Sequence, residues 1–75
     1  PTEEEVKVGL NLPNAGKTKM TVYDLNGAII YEKQFGKLDS GRIETKVSLS
    51  GHPKGTYFLV VEQGGKSFKR KILKS

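Results

Sequence analysis

The chain has 75 residues, no cysteine and a formal net charge of +5. That bounds it to one small basic domain, near the lower size limit for a self-sufficient core, with no disulfide or thiolate metal site to support it. Its longest strongly apolar run, Tyr57-Phe58-Leu59-Val60-Val61, falls far short of the ~20 residues a membrane-spanning helix needs, and Glu3-Glu4-Glu5 is unlike the basic start of a signal peptide.

Apolar residues recur with period two, the signature of strands rather than helices. Val6, Val8, Leu10 and Leu12 alternate with Lys7, Gly9 and Asn11, and Pro13-Asn14-Ala15-Gly16 then forms a turn cluster. A second strand is predicted over Thr18 to Leu25, with Met20 and Val22 on one face. Asn26-Gly27 follows, a pair that predicts a type I′ hairpin turn because both residues tolerate positive φ. Ala28 to Phe35 reads as a third strand and Gly36 to Gly41 as a loop. Ile43, Thr45, Val47 and Leu49 alternate in a fourth strand, which Ser50-Gly51-His52-Pro53-Lys54-Gly55 terminates. The last hairpin runs from Tyr57 to Glu62, turns at Gly64-Gly65 and returns from Lys66 to Leu73. Its first strand is apolar on both faces, which predicts a central position in its sheet or a covered second face.

Regular spacing of strands and turns points to an all-β, immunoglobulin-like β-sandwich of six to seven antiparallel strands. Its predicted core is Val8, Leu10, Met20, Val22, Ile30, Val47, Tyr57, Leu59, Val61, Phe68 and Ile72. Arg70 is awkward, since alternation places it on the face of Phe68 and Ile72. Either a bulge re-aims it, or it snorkels at the open end of the sandwich.

The residues argue against an enzyme. His52 is the only histidine and sits in a Gly/Pro turn. A set of Ser50, His52 and Asp39 carries no geometric information. No calcium-loop spacing occurs, and Gly64-Gly65-Lys66-Ser67 lacks the upstream glycine and following helix of a phosphate loop. No catalytic, cofactor-binding or metal-binding residue is assigned, and no cofactor or small-molecule substrate is implied. In the last strand, Lys66, Lys69, Arg70, Lys71 and Lys74 fall together without an acidic residue. Lysines of this kind guard a sheet edge against aggregation. They also suit a recognition edge, and an exposed edge allows self-association. Interleaved with Tyr57, Phe58 and Phe68 they would suit a nucleic-acid platform, but Tyr57 and Phe68 are needed for so small a core.

The order and spacing of these features resemble the C-terminal sorting domains (type A) of type IX secretion system cargo proteins of Bacteroidota. Gly55, Tyr57, the Gly64-Gly65 turn and Lys71-Ile72-Leu73 occupy the places of that family's closing hairpin. Tyr23-Asp24-Leu25-Asn26-Gly27 with Ala28-Ile29-Ile30 is similar to its middle hairpin, and Ser40-Gly41 with the following strand to the next element. The resemblance implies a non-catalytic signal at the end of a larger exported protein. Such a domain directs cargo from the periplasm across the outer membrane to the cell surface or medium. It engages an outer-membrane translocon and is then usually cleaved off by a sortase-like peptidase. The signal peptide and cleavage site would lie in the parent, at or before Pro1. Candidate sorting residues are Gly55, Tyr57, Gly64, Gly65, Lys69, Lys71, Ile72, Leu73 and Lys74. Lys69, Lys71, Leu73 and Lys74 are expected to be the available ones, with Phe68 and Ile72 committed to the core.

Two other classes stay open on sequence. A cell-surface adhesive or carbohydrate-binding module would show Tyr23, Tyr31 and Phe58 together as a platform. A nucleic-acid-binding β-barrel would bind with steep salt dependence.

Overall fold

The structure, a computed structural model, describes residues 5–74. Six strands follow one another: β1 (Glu5–Leu12), β2 (Gly16–Tyr23), β3 (Ile29–Leu38), β4 (Gly41–Ser48), β5 (Gly55–Gln63) and β6 (Lys66–Lys74). No helix occurs among the described residues. All pairings are antiparallel, in a two-stranded sheet β1-β4 and a four-stranded sheet β3-β2-β5-β6. The result is a β-sandwich of the immunoglobulin-like kind.

Alternation fills the space between the sheets. Val8, Leu10, Leu12, Val47 and Leu49 come from the narrow sheet side, and Met20, Val22, Tyr57, Leu59, Val61 and Ile72 from the wide one. β5 lies between β2 and β6, which explains its two apolar faces. Tyr57, Leu59 and Val61 are buried inward, while Phe58 and Val60 are half-buried on the outer face. The inward series ends at Gln63, which is buried with Thr18 on β2. The Gln63 amide donates to Thr18 Oγ1 at 3.0 Å, and Thr18 donates to the Gly16 carbonyl at 3.0 Å.

Two of the predicted core residues take other places. Phe68 faces inward opposite Val61, yet is 41% exposed, and Ile30 is only half-buried against the core. For Ile30 the cause is a register shift, which leaves it as the extra residue between Tyr31 opposite Val22 and Ile29 opposite Tyr23. For Phe68 it is width, since two strands cannot cover four. The inner faces of the outermost strands, β3 and β6, therefore overhang the narrow sheet. Polar groups occupy the overhang. Lys33 stands 5.1 Å over the Phe35 ring, and the Arg70 guanidinium donates to the Gly9 carbonyl on β1. β6 pairs with β5 without a register shift. Arg70 thus keeps its inward face and reaches across the open side; no bulge turns it out.

The turns correct two further expectations. Asn26-Gly27 is not a type I′ turn, because among the described residues only glycines have positive φ, so Asn26 does not. The loop is Leu25-Asn26-Gly27, closed by Gly27 N–H to the Asp24 carbonyl at 3.1 Å and Asp24 N–H to the Ala28 carbonyl at 3.0 Å. This is a type I turn followed by a glycine bulge, with Gly27 at φ 88°. The Asp24 carboxylate selects it by accepting from Asn26 N–H at 2.8 Å and Ala28 N–H at 3.0 Å. β2 accordingly ends at Tyr23 rather than Leu25. β3 runs on through Gly36 to Leu38, because a bulge beside Phe35 lets pairing with β2 resume. The true type I′ geometry belongs to Gly64-Gly65, with φ of 56° and 81°.

Candidate functional site

The terminal hairpin sorts its residues by face. Its two-residue turn makes Gln63 and Lys66 a pair that exchanges main-chain hydrogen bonds, and such pairs then recur at every second residue. Phe68, Arg70, Ile72 and Lys74 direct their main-chain groups to β5. Ser67, Lys69, Lys71 and Leu73 direct theirs to the free edge, while their side chains stand on the outer face. The edge is nine residues long and unbulged.

The sorting candidates divide accordingly. Gly55 opens β5 opposite Lys74, and Gly64-Gly65 makes the turn. Tyr57 and Ile72 are directly opposed and buried, 3% and 7% exposed. The Tyr57 hydroxyl donates to the Pro53 carbonyl, four residues back in the corner where the chain crosses between sheets. This is the arrangement of a tyrosine corner. Lys74 differs from expectation. It is half-buried, and its ammonium donates to the carbonyls of Leu49, at 3.0 Å, and His52 in the same corner. It holds the end of β6 to the rest of the sandwich and is not a displayed charge.

Lys69, Lys71 and Leu73 are displayed, Leu73 at 65% exposure. The Lys69 ammonium lies 4.9 Å from the Phe58 ring centroid, a cation–π contact across the outer face. Tyr23 stands beside Phe58 in direct cross-strand register. Further along this face Lys19 pairs with Glu32 at 3.0 Å, and that carboxylate holds the lysine above its ordinary pKa. Neither Lys69 nor Lys71 is in an ion pair among the described residues. Tyr31 sits opposite Val22 and packs toward the core, so the three-aromatic platform does not assemble.

Under the edge, a groove of about 240 Å³ runs between β6 and β1, lined in part by Leu10, Leu12, Val61, Phe68 and Arg70. Sequence reasoning missed the roles of Asp24 and Lys74, and for Arg70 it offered the reach across the open side as one of two alternatives without its acceptor, the Gly9 carbonyl. An Asp three residues before a loop glycine was the available signal for Asp24. Nothing local marked the acceptors of the other two, which lie 22 to 61 residues away. Among the described residues no three His, Cys, Asp or Glu side chains cluster as a metal site, and no helix is long and apolar enough to cross a membrane.

The arrangement is that of a β-sandwich module whose last strand forms a regular, unbulged sheet edge. A family model described as the secretion system C-terminal sorting domain matches residues 1–75. The chain belongs to this family, the C-terminal sorting domains of type IX secretion, whose members are generally non-catalytic signals for export toward the cell surface or beyond. No curated protein and no solved structure matches the chain.

Proposed function

We propose that residues 1–75 are the tail of a larger exported protein, and that they carry it from the periplasm through the outer-membrane translocon of the type IX system. A sortase-like peptidase then cleaves upstream of the domain. The observation that carries this reading is the family match over the whole chain. The terminal hairpin is the element we assign to recognition, because it joins displayed lysines to an open main-chain edge. Gly55, Tyr57, Gly64, Gly65, Ile72 and Lys74 build and hold it; Lys69, Lys71 and Leu73 face the partner.

A periplasm-directed fluorescent reporter fused to residues 1–75 tests the assignment in a bacterium with this secretion system. The fusion is expected at the surface or in the medium, with the reporter cleaved from the domain. Deleting Lys71 to Ser75 is expected to hold it in the periplasm, but that deletion also removes buried Ile72 and the Lys74 tie. The sharper variant is Lys69→Gln with Lys71→Gln, which leaves every buried contact in place. Unimpaired export of both variants would remove the hairpin from the signal. The carbohydrate platform gains nothing, since Tyr31 faces away from Tyr23 and Phe58.

A further inference from the structure

Four strand edges border the two sheets, and they are not equivalent. The β3 edge is interrupted by two register shifts, at Thr18/Lys19 and Val22/Tyr23 of its β2 pairing. The β1 edge has its Gly9 carbonyl occupied by Arg70. The β6 edge is regular along its whole length. The β4 edge is also without a register shift, but its Arg42 and Glu44 pair with each other and its Lys46 with Glu5. β6 is the edge that joins a regular main chain to displayed lysines, Lys69 and Lys71, in no ion pair among the described residues, and it is the better template for an added strand.

Its charge pattern limits what can be added. A second copy of β6 pairing by two-fold symmetry would be antiparallel. In every register that overlaps most of the strand, Lys69 then faces Lys69 or Lys71, or Lys71 faces Lys71. Like charges directly opposed across strands are destabilising.

Resting on the sorting reading, and extending it to the chemistry of the partner, we propose that β6 binds an extended acidic strand of another protein by β-augmentation. Its alternate residues are acidic on the outer face, opposite Lys69 and Lys71, and apolar on the inner face. The inner side chains cover Phe68, which is 41% exposed, and lie against the aliphatic stems of Arg42 and Arg70 at the mouth of the groove, above the buried Leu10 and Leu12. Main-chain hydrogen bonds come from Ser67, Lys69, Lys71 and Leu73. Apolar burial and main-chain pairing supply affinity, and the two lysines supply selection.

The test titrates the ¹⁵N-labelled 75-residue chain with the end-capped heptapeptide Thr-Glu-Val-Glu-Val-Glu-Thr and its Lys-for-Glu counterpart. The acidic peptide is expected to shift the amides of Ser67, Lys69, Lys71 and Leu73 before others. It should bind about tenfold tighter than the basic one, as two favourable cross-strand charge pairs allow. Lys69→Glu with Lys71→Glu should invert the preference. Lys71→Pro should abolish binding while the chain stays folded, because that N–H faces outward and not toward β5. No amide shift at millimolar peptide, equal binding of both peptides, shifts confined to β1 or β3, or binding that survives Lys71→Pro each overturn the proposal. So does a β6-mediated dimer in sedimentation. If peptide binding fails while the Gln variants still block export of the reporter, the acidic strand is wrong and the sorting assignment stands.

Discussion

At the scale of single residues, Tyr57 combines two functions. Its ring fills the core opposite Ile72, and its hydroxyl fixes the Pro53 carbonyl in the corner between sheets. The two separate by mutation. Tyr57→Ala should cost ~3–5 kcal/mol through lost volume, and Tyr57→Phe only ~1 kcal/mol through the hydrogen bond. Urea unfolding measures both, and equal losses would assign the whole effect to the hydroxyl. Gly27 is a backbone case. A Cβ there meets nothing within 4 Å, so the φ of 88° alone sets the cost. Gly27→Val should lower stability by ~1–3 kcal/mol, and an unchanged melting temperature would show that the loop relaxes. Asp24→Ala removes the acceptor for two loop N–H groups and should destabilise the same hairpin by ~1 kcal/mol.

At the scale of elements, β6 is held by its ends and displays its middle. Lys74→Met keeps the aliphatic stem but gives up the ammonium that serves the Leu49 and His52 carbonyls. It should cost ~1–3 kcal/mol, whereas Lys69→Gln with Lys71→Gln should stay within about 0.5 kcal/mol per site. Thermal melts of both variants check the contrast; equal losses would mean that the displayed lysines are structural. The strands themselves were legible, because alternation in β1, β2 and β4 records which face each residue takes, and the unbroken apolar run of β5 marks a central strand. What alternation does not record is whether anything lies opposite that face. Phe68 was assigned to the core by its correct facing, and is half in solvent because the opposing sheet is two strands wide. Arg70 was puzzling for the same reason. Asn26-Gly27 was misread because the pair was weighed without Asp24, whose side chain selects the longer loop. Of the candidate site, the hairpin and its turn were visible in sequence, but the division into displayed Lys69 and Lys71 and anchored Lys74 depends on carbonyls distant in the chain.

At the scale of the whole molecule, the pairings β1-β4 and β2-β5 join segments separated by other strands, so loops must close before these ladders form. Refolding should accordingly take milliseconds to seconds, and not the microseconds of helical bundles. Stopped-flow fluorescence of the tyrosines measures this, and a microsecond phase carrying the full amplitude would contradict it. The β2-β5 ladder also faces an ambiguity that burial alone does not resolve. Sliding β5 by two residues along β2 returns every inward side chain to the inward face, so the oily pattern scores the slipped sheet much like the native one. Gln63 breaks the tie. After such a slip its amide lies opposite Met20 or beyond the ladder, away from the Thr18 hydroxyl, and an orphaned buried amide costs ~1–3 kcal/mol. One polar pair in the interior thus acts as a locating pin. Replacing it by Thr18→Val with Gln63→Leu would leave a sheet that is no less cohesive but has lost its index mark, with two alignments where the native chain has one.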